Sequence, residues 1–273
     1  MIKPGGPSGM SVVAAWVRRP TINQLAWALA GFSVLALIWH TFGWYMGLSP
    51  RTQTFTTFGL IPTLQAFPVL WELGKLQEAI AASMNRLAVG MLIAMLIGVP
   101  IGIAVGLNRR FRELSNSPFQ LLRMVSPLAW SPIVVYVFST WYGAIVFLIA
   151  VAAVWPIIYS TAAGLAKVDP AWFKVARNLG ANRTQMLTRV IMPAITFDVL
   201  SGMRLAVSVA WIVLVPAEYL GVTSGLGYAI QDARETLSYH HLMAMVVTIG
   251  AIGYTLDTTL AVLIKKTSWH RGE

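Results

Sequence analysis

Arg204, Glu218 and Asp257 are charged residues set in stretches that are otherwise apolar. An ionisable side chain inside a membrane is costly, and it is retained for a function or for a pairing. Arg204 and Glu218 lie fourteen residues apart, about 21 Å along a helix, so they cannot pair within one helix. Arg204 has Asp198 and Asp257 as candidate partners, in a structural ion pair or beside a substrate. Glu218 precedes Gly221 and the Ser224-Gly225-Leu226-Gly227 turn. It reads either as a contact for an external protein or an outer gate, or as an interfacial carboxylate in water. No catalytic constellation accompanies these three. There is no cysteine, which removes disulfides, thiolate chemistry and Cys-based metal sites. His40, His240, His241 and His270 form no set with metal-ligand spacing. No G-x-x-x-x-G-K-[ST] stretch is present, so no phosphate cradle of that kind exists. The expectation is a protein that is not an enzyme and binds neither cofactor nor metal itself.

The elements that hold these residues are membrane helices. Of the 273 residues 57% are apolar and 11% charged, against about 25% charged in soluble domains. A spanning helix takes roughly 20 mostly apolar residues. Uncharged runs place spans near 25–46 and 87–107. The run Met124–Ala166 is about twice one span, and Ser139-Thr140-Trp141-Tyr142-Gly143 reads as its central turn. Helices are therefore expected near 118–138 and 144–165, with two more near 195–219 and 242–264. The fold class is all-α, with six transmembrane helices.

With the N-terminus cytoplasmic, fifteen Lys and Arg fall inside and four (Arg51, Lys75, Arg86, Arg234) fall outside, with Arg204 inside span five. That bias is a topology signal, and it accounts for the net charge of +10 without nucleic acid. Both termini are expected in the cytoplasm. The organisation reads as a tail and anchor helix over 1–50, an outer amphipathic segment over 51–86, a core over 87–264 and a tail over 265–273. The first span could be a signal peptide, but its apolar region is long and no small-x-small cleavage site follows, which favours a retained anchor. Gly98, Gly102 and Gly106 recur every four residues around Pro100. This is a pattern for close helix packing in lipid, or for a kinked helix that moves.

Between spans four and five the chain turns polar over 167–194. Asp169-Pro170 is a helix start, with Asp as cap and Pro in the first turn. The helix 170–179 stops at Gly180, and Asn182 caps a second helix that reaches Pro193. Lys174, Val175, Ala176, Arg177, Ala181 and Arg183 surround that glycine. Two ordered helices with an outward basic face suit docking into a groove on a partner. At mid-membrane depth Trp130, Ser131, Tyr136, Trp155, Ser208 and Trp211 are candidates to line a route, or to pack; Glu218 is a further candidate toward the outer end.

The polar element resembles the "EAA loop" of ABC-importer permeases: Glu-Ala-Ala, three residues, Gly, nine residues, then Ile-x-Leu-Pro. Here Gly180 is followed by nine residues and Val190-Ile191-Met192-Pro193. Lys174 and Val175 depart from the opening triplet, and Ala176 agrees with it. The stretch RMVSPLAWSP (Arg123–Pro132) is similar to the Arg-x-x-Pro-Pro-Leu-Ala-Trp-Leu-Pro run of nitrate/sulfonate/taurine-type permeases, departing at Ser126 and Ser131. VWPIIYSTAAGL, GMRLAVSVAW, PAEYL and SGLGYAIQDARE follow in that subfamily's order, so the resemblance covers roughly 75–265. It implies the type I ABC importer permease fold in a bacterial inner membrane. The implied assembly is a homodimer with two ATPase subunits, which bind ATP and Mg, and a periplasmic or lipoprotein solute-binding protein. The implied cargo is a small anion such as nitrate, an alkanesulfonate or taurine. Bicarbonate, cyanate or a vitamin precursor is the alternative within the family, and an ion-gradient-driven secondary transporter is the alternative outside it.

Overall fold

The computed structural model describes residues 22–268, and among these there is no β-strand. In chain order the helices are α1 (Ile22–Gly47), α2 (Leu60–Glu72), α3 (Lys75–Leu107), α4 (Arg109–Met124), α5 (Ser131–Val137), α6 (Trp141–Ala166), α7 (Pro170–Asn178), α8 (Met192–Tyr219), α9 (Leu226–Glu235) and α10 (Tyr239–Ser268). Five are long and apolar enough to cross a bilayer: α1, α3, α6, α8 with the turns leading into it from Arg183, and α10. The N-terminal tail, including Lys3, Arg18 and Arg19, and the last residues with Arg271 lie outside the described residues.

The span expected near 118–138 is not one helix. α4 is amphipathic and ends at Met124; Val125 and Ser126 are extended, with ψ of 124° and 129°. A proline disfavours the helical conformation of the residue before it, and Ser126 precedes Pro127. A 3₁₀ turn (Pro127–Trp130) and the short α5 follow, and the backbone is extended again at Phe138. Hydropathy alone does not register the break before Pro127 or the extended joint at Phe138.

The segment still has to cross. Methyl groups added at Gly90, Gly98, Gly102 and Gly106 of α3 would lie 2.5, 2.8, 2.6 and 2.9 Å from Ile149, Ile157, Thr161 and Leu165 of α6. The partner advances by the same eight, four and four residues as the glycine, so α3 and α6 run parallel in one register. The link between two adjacent parallel helices must return to the other end of the bundle. Among the described residues the candidate crossings are thus five continuous helices and one broken one. α8 runs antiparallel to α6: Gly202 abuts Ser160, and Asp198 abuts Gly164.

This three-helix sandwich is the core. Ile149, Ile157, Ala206, Ala210 and Leu214 are buried in it, joined by Leu226 of α9. A smaller cluster of Leu165, Ile191, Ile195 and Val199 sits at the α7 end of the bundle. α1 stands outside this core, tied by Trp39 Nε1, which donates to the Phe58 carbonyl at 2.8 Å.

Candidate functional site

The polar element is ordered. Asp169 Oδ1 accepts from the Ala171 amide at 2.8 Å, which caps α7. At the other end Gly180 takes φ +75°, and the Ala181 and Gly180 amides donate to the Ala176 and Arg177 carbonyls at 3.0 and 2.9 Å. A left-handed glycine closing such a pair of bonds is a helix stop. Asn182 and Gln185 then bond each other's backbone amides in a capping box. The second helix does not end at Pro193. It passes through a π turn (Met186–Ile191) into α8 without a break. Proline lacks an amide and its ring crowds the carbonyl four residues back; the wider turn before Pro193 accommodates both.

Phe173 and Met186 fix the element by packing on the Leu165, Ile191, Ile195 and Val199 cluster where α6 and α8 meet. Its other face is exposed and carries Lys174, Val175, Arg177, Asn182 and Arg183, with Trp172 and Leu179 beside them. Lys167 Nζ, in the turn between α6 and α7, donates to Asp198 Oδ1 of α8 at 2.7 Å. Of the residues named from the sequence, Lys174, Val175, Arg177, Gly180, Asn182, Arg183 and Pro193 are exposed, whereas Ala176 and Ala181 are half-buried.

In the membrane-spanning part, Arg204 of α8 and Asp257 of α10 form a two-pronged pair, Nε to Oδ1 and Nη2 to Oδ2, both 2.7 Å. Of Arg204's two candidate partners, Asp257 is the one it takes, while Asp198 goes to Lys167. Ser208 Oγ donates to the Arg204 carbonyl at 3.1 Å. Trp211 is buried one further turn along, with its indole against Gly253. Ser208, Trp211 and Arg204 therefore share the α8–α10 seam.

The other route candidates lie apart from that seam. Trp130 and Ser131 are half-buried on the broken crossing, and Tyr136 of α5 is 91% exposed. Trp155 of α6 meets Phe119 of α4 edge-on, ring centres 5.6 Å apart.

Glu218 is not an interfacial carboxylate in water, because its side chain is 0% exposed. It accepts from Ser83 Oγ at 2.9 and 2.8 Å, from Arg86 Nη1 at 2.5 Å and from the Gly227 amide at 3.0 Å. Arg86 also donates to the Ser224 carbonyl and hydroxyl at 2.9 and 2.6 Å. Gly225 is held at φ +106°, and a methyl group there would sit 2.5 Å from the Glu218 carboxylate. Glu218 thus pins α3, the end of α8 and the start of α9 together. Sequence reading missed Ser83, Arg86, Ser224 and Gly227 as its partners. The available signal was Arg86 at the head of the uncharged run 87–108, since a buried carboxylate needs a cation.

Among the described residues, an all-helical bundle with several crossings, a buried Arg86–Glu218 pair and an ordered polar element at one end is the architecture of a membrane transport subunit. Residues 98–267 match the family described as binding-protein-dependent transport system inner membrane component, and the chain belongs to that family of ABC permeases. It is 33% identical over 263 residues to the bicarbonate transport system permease protein CmpB of Synechococcus elongatus, covering 93% of this chain and 92% of that protein. It is 31% identical over 261 residues to the taurine transport system permease protein TauC of Escherichia coli, covering 93% of each. In three dimensions it is similar to a chain of the inward-facing MetNI methionine ABC transporter, with TM-score 0.61 and 14% identity over 73% of this chain and 98% of that one. That likeness shows the fold, the one seen in type I importers.

Proposed function

We propose that this chain is the membrane-spanning subunit of an ATP-driven importer for a small anion of the bicarbonate, nitrate, alkanesulfonate or taurine class. It works as two copies with two ATPase subunits and receives its solute from a binding protein. ATP and Mg are held by the ATPase subunits, and both termini and the 167–194 element face the cytoplasm. The names of the similar permeases support the solute class.

The observation that carries the reading is the ordered 167–194 element, which acts as a lever. A helix capped at both ends, packed by Phe173 and Met186 onto the junction of α6 and α8, transmits a push to two spanning helices. A floppy loop would absorb it. Closure of the ATPases on α7 shifts α6 and α8 and changes which side of the bilayer the path opens to. Trp130, Ser131 and Tyr136 on the broken crossing border that path, because non-helical backbone at membrane depth is tolerated only against protein or a water-filled cavity.

The test is gentle purification from native membranes with mass spectrometry of what accompanies the chain. An ATPase subunit in equal copy number supports the reading. A chain that comes out alone, with uptake that survives ATP depletion, overturns it in favour of a gradient-driven carrier.

A further inference from the structure

Arg204 lies twelve residues beyond Met192 and fifteen short of Tyr219, about 18 and 22 Å from the two ends of α8. A hydrocarbon core is about 30 Å thick, so the guanidinium sits near its middle. Asp257 meets it there from α10. Yet the two side chains are 40% and 43% exposed on a single copy. Charged side chains at this depth face a bundle interior or a water-filled cavity, and lipid is the wrong neighbour for them.

The surroundings are polar as well. Ser208 is one turn from Arg204 on α8. On α10, Tyr254 is exposed one turn before Asp257.

Guanidinium carries five N–H donors in a fixed fork suited to planar oxyanions. Asp257 takes two of them, through Nε and Nη2. Three N–H donors lie outside that pair, on a side chain that is partly exposed. The carboxylate also cancels most of the positive charge, which suits a route that has to release what it binds.

We propose that the Arg204–Asp257 pair opens onto the solute path and that Arg204 is its mid-membrane contact for a small oxyanion, held weak by Asp257. This rests on the anion-importer reading above. It assigns a specificity role to a pair that pure packing would leave silent.

The chain has no cysteine, so single cysteines report cleanly. Ser208→Cys and Tyr254→Cys, in the complete complex in membrane vesicles, are to be labelled with an anionic (sulfonatoethyl) and a cationic (aminoethyl) methanethiosulfonate. Leu35→Cys on α1 serves as the lipid-exposed reference. Both seam cysteines should react, and Leu35→Cys should not. Asp257→Asn, in the Ser208→Cys background, should raise the anion-to-cation rate ratio about a hundredfold, roughly tenfold on each reagent in opposite directions, the effect of one unit charge roughly 12 Å away at an effective dielectric constant of about 20. Arg204→Gln should lower it by a similar factor, and the neutral double variant should return it to the starting value, which also controls for misfolding of either single variant.

If the seam cysteines stay silent to both reagents, the pair is buried against the second copy and the proposal falls. It falls equally if they react with a ratio that neither substitution moves. These outcomes are separate from the fate of the importer reading. ATP-dependent uptake of nitrate, bicarbonate or taurine with silent cysteines removes only the path assignment. Charge-dependent labelling without ATP-dependent uptake leaves the path assignment standing and removes the importer.

Discussion

Glu218 and Arg86, 132 positions apart in the chain, meet at 2.5 Å with both side chains shielded from solvent. Ser83 and the Gly227 amide complete the carboxylate's shell. Removing one member of a buried pair leaves an uncompensated charge, at a cost of about 3–5 kcal/mol. Arg86→Leu should therefore sharply lower the thermal unfolding temperature in detergent and reduce the amount of protein in the membrane. Glu218→Gln combined with Arg86→Gln should cost less than the sum of the single changes. Additive losses would mean the two groups do not interact.

Gly98 and Gly102 let α3 lie against Ile157 and Thr161 of α6. A larger side chain there has no space without separating the helices, and overpacking costs about 1–3 kcal/mol. Gly102→Val should be more damaging than Gly98→Ala, and Ile157→Ala should partly rescue Gly98→Ala. Unfolding temperatures of the purified variants decide this; absence of rescue would show that the backbone accommodates the methyl by other means.

Gly180 adopts φ +75° with open space around its α-carbon. A substitution there is penalised by conformation alone, about 1–2 kcal/mol. Gly180→Val should leave the amount of folded protein nearly unchanged while distorting the turn between α7 and Asn182. In the assembled transporter it should separate ATP hydrolysis from uptake, with hydrolysis persisting and uptake lost. Equal loss of both, or of neither, would argue against the lever.

Lys167 tethers the end of α6 to Asp198 of α8 at 2.7 Å, but its own side chain is mostly exposed. Asp198 at the other end of the pair is buried, so losing the ammonium costs more than the roughly 0–1 kcal/mol of an exposed pair. Lys167→Met should thus lower the unfolding temperature, though less than Arg86→Leu. Its larger effect should be on the ratio of ATP hydrolysed to solute taken up, measured in vesicles, because α6 and α8 are then free to shift separately. An unchanged ratio would leave the tether purely structural.

Local signals in the sequence located the caps of the helix–Gly–helix element well. Asp169-Pro170, Gly180 and Asn182 act on their immediate neighbours, so their caps appear where their chemistry requires. The continuous spans were equally legible, since apolar length alone defines them. The Glu218 cluster was not, because pairing across 132 positions depends on a helix order that spacing does not encode. The crossing near 118–138 misled for a different reason. Its residues are apolar enough for a span, while the extended backbone before Pro127 breaks it. Ser208 and Trp211 share the Arg204 seam, but Trp130, Ser131, Trp155 and Tyr136 are spread over other elements. Common depth in the membrane is therefore a weaker guide than common face.

The shared register of α3 and α6 also limits how this chain can change length. Inserting or deleting one residue between Gly90 and Gly106 turns everything beyond it by about 100° on the helix. The remaining glycines would then swing away from Ile157, Thr161 and Leu165 and bring bulkier side chains into the seam. Point replacements of matched size can be absorbed there; a change of phase cannot. Length can be gained or lost where no such vernier operates, in the broken stretch from Arg109 to Thr140, whose extended joints at Val125, Ser126 and Phe138 already take up the slack between two helices that must stay in step.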